Sequence, residues 1–125
     1  MVQKLLVHPD PEARRLTVWY LARRAAPGVR ELVETALGDI NLLVNAAAAE
    51  GLGLMGNAAS APLLLAAFKE TFEPYYSAKK DLSFSERNVN LLRRTIEEAF
   101  FALGVEPAEV VPGEIAHAEG PGPTE

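Results

Sequence analysis

A shift of 31 residues superposes the chain on itself: Leu21 falls on Leu52, Leu32 on Leu63 and Ala36 on Ala67. The same shift pairs Ala13 with Val44, Ala22 with Gly53 and Leu37 with Phe68. A fixed period of this size marks an array of helical hairpins, none of which buries its apolar face without a neighbour. Stacked hairpins sharing one continuous core are the architecture this repeat predicts.

Local signals place the hairpins. Asp10 is an N-cap for a helix from Pro11 to about Arg24, with Pro at the first position and Glu12 at the positive end of the dipole. Leu16, Val18, Trp19, Leu21 and Ala22 follow helical spacing, which assigns Trp19 to the core and Arg14, Arg15, Arg23 and Arg24 to the polar surface. "APGVRELVETALG" predicts a second helix, entered through Pro27 and closed by a left-handed Gly38. Asp39 caps a third, with Ile40, Leu43, Val44, Ala47 and Ala48 as its apolar face. After a turn capped by Asn57 or Ser60, "LLLAAFKETF" completes the second hairpin. Ser83 and Glu86 have capping-box spacing before a long helix that Gly104 terminates. Its partner is cut short, because "VEPAEVV" offers at most a turn before Pro112.

"EGLGLMG", Glu50 to Gly56, contains the spacing G-x-G-x-x-G. A dinucleotide loop needs a buried strand before the first glycine, and the residues here are Ala-Ala-Ala-Glu, which favour helix. The glycines therefore read as close-packing positions between helices.

Charge divides the chain at Gly104. Residues 1–104 carry 12 Lys and Arg against 12 Asp and Glu, whereas 105–125 carry five Glu and no base. The expected organisation is a helical domain over 1–104 and an extended or disordered acidic tail over 105–125, too rich in Gly and Pro to fold alone. A neutral body argues against a dedicated nucleic-acid binder. The absence of Cys excludes disulfides and thiolate chemistry and fits a cytoplasmic setting, and the longest apolar run, Ala58 to Phe68, is too short to span a bilayer. Abundant Arg, Glu, Ala, Leu and Pro also suit a thermophilic source.

The stretch "LLVNAAAAEGLGLMGNAASAPLLLAAF", Leu42 to Phe68, resembles a unit of the short HEAT-like repeat family, which includes the repeats first noted in phycobilin lyases. Val44, Ala48, Ala49, Leu52, Gly53, Gly56, Ala59, Pro62 and Leu63 stand at the corresponding places, and Pro11 to Leu37 matches less closely. The family's usual Arg is kept at Arg14 and replaced at Asn45. The resemblance implies an all-α chain, a short right-handed α-solenoid of about two and a half hairpins, whose curved surfaces bind proteins.

Catalytic chemistry finds few candidates. The two histidines, His8 and His117, have no partner at metal-ligand or triad spacing; Glu97 and Glu98 diverge on a helix, and Ser77 with Lys80 lies in a surface-like "SAKK". No cofactor, metal or enzymatic activity is expected. The partner-binding candidates are Tyr75, Tyr76, Lys79 and Lys80 in the insert after Phe72, where aromatics adjoin charges, and Arg14, Arg15, Arg23 and Arg24 on the first hairpin. The expected function is a noncatalytic adaptor or small accessory subunit that stabilises a larger protein assembly, of which a bacterial respiratory complex is one example. Nucleic-acid binding through the arginines and a lyase-related role are the alternatives.

Overall fold

The computed structural model describes residues 5–24 and 26–109, which form α-helices and 3-10 turns with no strand among them. Helices α1 (Pro11–Ala22) and α2 (Val29–Thr35) make the first hairpin, and α3 (Leu42–Met55) and α4 (Ala61–Glu70) make the second. Helix α5 (Glu86–Leu103) opens a third, followed among the described residues by a 3-10 turn at Pro107–Glu109. The starts of α1 and α3 differ by the 31 residues of the sequence repeat. Most of the expected acidic tail, with His117, and the N-terminal Val2 to Lys4 lie outside the described residues.

Helix α3 is the centre of the stack, packed most extensively against α5 and then α1. Nine of its fourteen residues are buried, so it cannot show the one-sided pattern of a surface helix. Close approach explains two of its glycines. A Cβ on Gly51 would stand 2.6 Å from Cβ of Ala22 in α1, and one on Gly53 would stand 3.1 Å from Cα of Ala99 in α5. Gly56, at φ 72°, takes the left-handed conformation that ends α3. "GLGLMG" is thus a helix and its cap, as its alanine-rich approach predicts.

The capping residues differ in part from expectation. Asp10 caps α1 and Gly104 closes α5 as predicted. Helix α3 is capped by Asn41, whose Oδ1 accepts from the amides of Leu43 and Val44, while Asp39 is held by Arg14. Ser85, not Ser83, caps α5; the Ser83 hydroxyl instead accepts from the amide of Leu42, across 41 residues of sequence. Gly38 is not left-handed, because α2 tightens into a 3-10 turn whose terminal carbonyls find another donor.

That donor is Asn45, fully buried in α3. Its Nδ2 donates to the carbonyls of Ala36, Leu37 and Asp39, at 3.1, 3.1 and 2.9 Å, satisfying acceptors that the end of a helix leaves without partners. Its Oδ1 accepts from Lys80 Nζ at 2.8 Å, and the same ammonium donates to the Asp39 carbonyl at 2.6 Å. Beside it, Arg14 grips both carboxylate oxygens of Asp39 and donates to the carbonyls of His8 and Pro9. Asp81 accepts from Asn41 and from the Ser83 amide. One polar cluster therefore ties the start of α1, the α2–α3 turn and the insert before α5 to the N-terminus of α3.

The apolar faces expected for α1 and α3 are corrected at four residues, and the surface place of Arg14 with them. Trp19 is 45% exposed and Leu16 half exposed, while Arg14 lies on the buried face of α1 with Thr17, Val18, Leu21 and Ala22. Neutralisation by Asp39 lets the guanidinium enter that face and turns the helix so that Trp19 points outward. Ile40 and Leu43 are likewise exposed, their expected places being taken by Leu42, Ala49 and Leu52.

Truncating Asn45→Ala strands three carbonyls and the Lys80 ammonium, and a urea titration should show a loss of about 3 kcal/mol or more. Gly53→Ala gains up to about 1 kcal/mol of helix propensity but must displace the backbone of α5, so its net effect should be destabilising by about 1–2 kcal/mol. Burial pushes the Tyr76 phenol up to about 12, with Glu70 adding to the rise and Arg93 opposing it. Because the folded value lies above the ordinary 10.0, the contribution of Tyr76 is complete below pH 10 and is lost as pH rises towards 12. Tyr76→Phe should remove that part of the alkaline decline in stability, read by denaturation at several pH values.

Candidate functional site

Helices α1, α3 and α5 lie side by side and run in the same direction, since Leu43 is level with Glu12 and Leu91, and Gly51 and Gly53 are level with Ala22 and Ala99. The outward side chains of α3 include Ala46 and Ala47, which are short, whereas α1 presents Glu12 and Arg15 and α5 presents Arg94, Thr95 and Glu98. The middle helix is therefore a floor between two higher walls. The resulting trough encloses about 660 Å³, with Leu43, Ala46, Ala47 and Leu91 as its apolar surface and Glu50 as a charge in its floor. It runs on past Glu50 into a smaller hollow bounded by Gly53, Leu54, Ala99 and Ala102.

Aromatic and guanidinium groups are exposed along α1 beyond the trough lining. Trp19 is one turn beyond Arg15 on the same side of the helix. The guanidinium of Arg23 stacks 4.0 Å from the Trp19 ring centroid, and that of Arg24 lies 5.3 Å from the Tyr20 ring and donates to its hydroxyl. Tyr20, Leu16 and Leu54 are also exposed. Arg15 is paired with Glu12 at 2.5 Å, and that hydrogen bond holds the Glu12 carboxyl below its ordinary value.

The eight residues singled out in the sequence are thus distributed over different environments. Arg14 and Lys80 sit in the polar cluster behind α3, where burial pulls the Lys80 ammonium below the usual lysine value against the raising influence of Glu70, Asp39 and Asp81. Arg15, Arg23 and Arg24 remain on the outer face of α1. Tyr76 is 4% exposed, edge-on to Phe84 and beneath Lys80, whereas Tyr75 is 73% exposed. Lys79 pairs at the surface with Glu70. Arg93 of α5 is bound to Thr71 and stacked on Phe72.

Of the catalytic groups weighed in the sequence, His8 is a turn residue whose Nδ1 accepts from the Asp10 amide. Among the described residues no group of three metal-ligating side chains converges, and no helix is long and apolar enough to cross a membrane. The second row of helices, α2 and α4, encloses another hollow of about 610 Å³ over Leu37, Leu63, Ala66 and Ala67. Its rim carboxylates Glu34 and Glu70 are taken by Arg30 and Lys79.

Neither the curated proteins nor the solved structures contain a match to the chain. The family model for HEAT repeats matches residues 1–78, which span the first two hairpins, the α4 terminus and the start of the insert. With well over half of its 125 residues matched and its hairpins stacked about a shared core, the chain belongs to the HEAT repeat family.

Proposed function

We propose that the protein is a noncatalytic protein-interaction module, an adaptor or small accessory subunit that holds together a larger assembly, and that the outer face of α1, α3 and α5 is its docking surface. The trough carries this reading: a low apolar floor between walls that bear Glu12, Arg15, Arg94 and Glu98, with Trp19, Tyr20, Arg23 and Arg24 exposed further along α1. Trp, Tyr and Arg around an apolar centre are the composition in which binding energy concentrates at protein interfaces. Membership of a repeat family whose stacked hairpins present extended surfaces to other proteins supports the same assignment. A cytoplasmic location accords with this role, and nucleic acid is the less favoured partner because Arg14, Arg15 and Arg93 are engaged within the chain. Tyr75 and Lys79 form a second exposed site on the insert that a large partner also reaches.

Ala47→Arg fills the trough from a half-buried position at the edge of the core, so its helical circular dichroism is checked first, and Trp19→Ala removes the exposed ring. In purification from native cells under mild conditions, the wild-type chain should bring a stoichiometric set of subunits. Trp19→Ala should weaken that association by about 2 kcal/mol, roughly thirtyfold, while changing stability by less than about 1 kcal/mol. Ala47→Arg should abolish it. A chain that migrates alone in gentle extracts contradicts the accessory role.

A further inference from the structure

Resting on the docking reading, we infer that the occupant of the trough is an amphipathic α-helix of the partner, about four turns long, that brings a Lys or Arg to Glu50 and Glu98. Three observations lead there. The first is backbone supply. Floor and walls are formed by side chains of helices whose main-chain groups are already bonded within those helices, and no strand edge exists among the described residues. An extended segment laid on this apolar floor would bury amide and carbonyl groups without partners, whereas a helix carries its own.

The second is shape. Leu43, Ala46, Ala47 and Glu50 recur on the outward side of α3 at three- and four-residue spacing, the ridge pattern into which another helix packs. Helix α3 has 14 residues, about 21 Å of length, which sets the span of the occupant. Ala46 and Ala47 allow its axis to come close, so its apolar face meets alanine-sized knobs at the centre and Leu43 and Leu91 nearer the N-terminal ends of α3 and α5.

The third is charge. Glu12 and Arg15 cancel each other on the α1 wall. Glu50 in the floor and Glu98 on the α5 wall have no ion-pair partner among the described residues, nor has Arg94, so after the Glu12–Arg15 pair the lining keeps two carboxylates against one guanidinium and is negative. A basic side chain flanking the apolar stripe answers these two carboxylates, and their partial enclosure by the trough makes them selective against an acidic helix.

The protein supplies its own reporter, because Trp19 is its single tryptophan and is exposed on α1 one turn beyond Arg15 of the trough wall. A display library of 16-residue peptides on a helical alanine frame is selected against the whole chain. The enriched sequences should carry apolar residues at i, i+4 and i+7 with an adjoining Lys or Arg. The synthesised consensus peptide should shift Trp19 emission to shorter wavelength in a saturable titration. Reversing both carboxylates (Glu50→Lys with Glu98→Lys), at exposed positions that leave the helical circular dichroism unchanged, should weaken this peptide at least roughly tenfold, and the peptide with Glu in place of its base should regain affinity. Selection of nothing, of acidic or proline-rich peptides, or of peptides indifferent to the charge reversal overturns the basic helix. Concentration-dependent self-association lost on Ala47→Arg overturns it in favour of a second copy. A native partner that is lost on Ala47→Arg while the library yields nothing leaves the docking face in place and removes only this occupant; a partner retained on Ala47→Arg removes both.

Discussion

The fold depends on a buried amide. In a stack of helical hairpins, each turn between helices leaves carbonyls pointing into a region that the next element must cover. Asn45 occupies that region between α2 and α3, and its two N–H bonds are shared by three carbonyls while its oxygen holds Lys80. The cost of burying so many polar groups is offset only because each finds a partner, and no buried side-chain polar atom among the described residues lacks one. Removal of any member exposes the others, which makes the cluster a device for fixing a single register of the stack rather than a simple source of stability.

The position of this cluster has a consequence for the opposite side of α3. Because Asn45 and its partners anchor the helix from behind, and Gly51 and Gly53 draw it down between α1 and α5, the outward residues of α3 sit low. The trough is therefore a product of the packing that holds the molecule together. Small residues serve twice: buried glycines bring the three helices close, and the short side chains of buried Ala46 and half-buried Ala47 leave room above them. A rigid, preformed concavity of this kind loses little entropy when a partner docks.

Much of the architecture was legible in the sequence because it rests on local or periodic signals. The 31-residue repeat, the Asp10 and Gly104 caps and the helical nature of "GLGLMG" all follow from neighbours close in the chain. What escaped was set by distant polar partners, which leave no periodic trace. Arg14 read as surface because Asp39 lies 25 residues away, and Trp19 read as core for want of knowing that Arg14 had taken its side of the helix. Ser83 caps a helix 41 residues before it, and Lys80 serves Asn45. The candidate site was less legible still: Arg15, Arg23 and Arg24 could be singled out one by one, but Ala46 and Ala47 look like any packing alanines until three helices are placed beside one another.

On the proposed docking reading, partners meet the α1–α3–α5 face rather than the α2–α4 face. Since the chain lacks cysteine, a single Cys at position 47 or at position 66 can carry a photo-activated cross-linker into the native extract. The account predicts a stoichiometric cross-link to one subunit from Ala47→Cys, suppressed by excess unlabelled protein, and little from Ala66→Cys. The same cross-link formed from Ala66→Cys and absent from Ala47→Cys would place the partner on the other row of helices and contradict it.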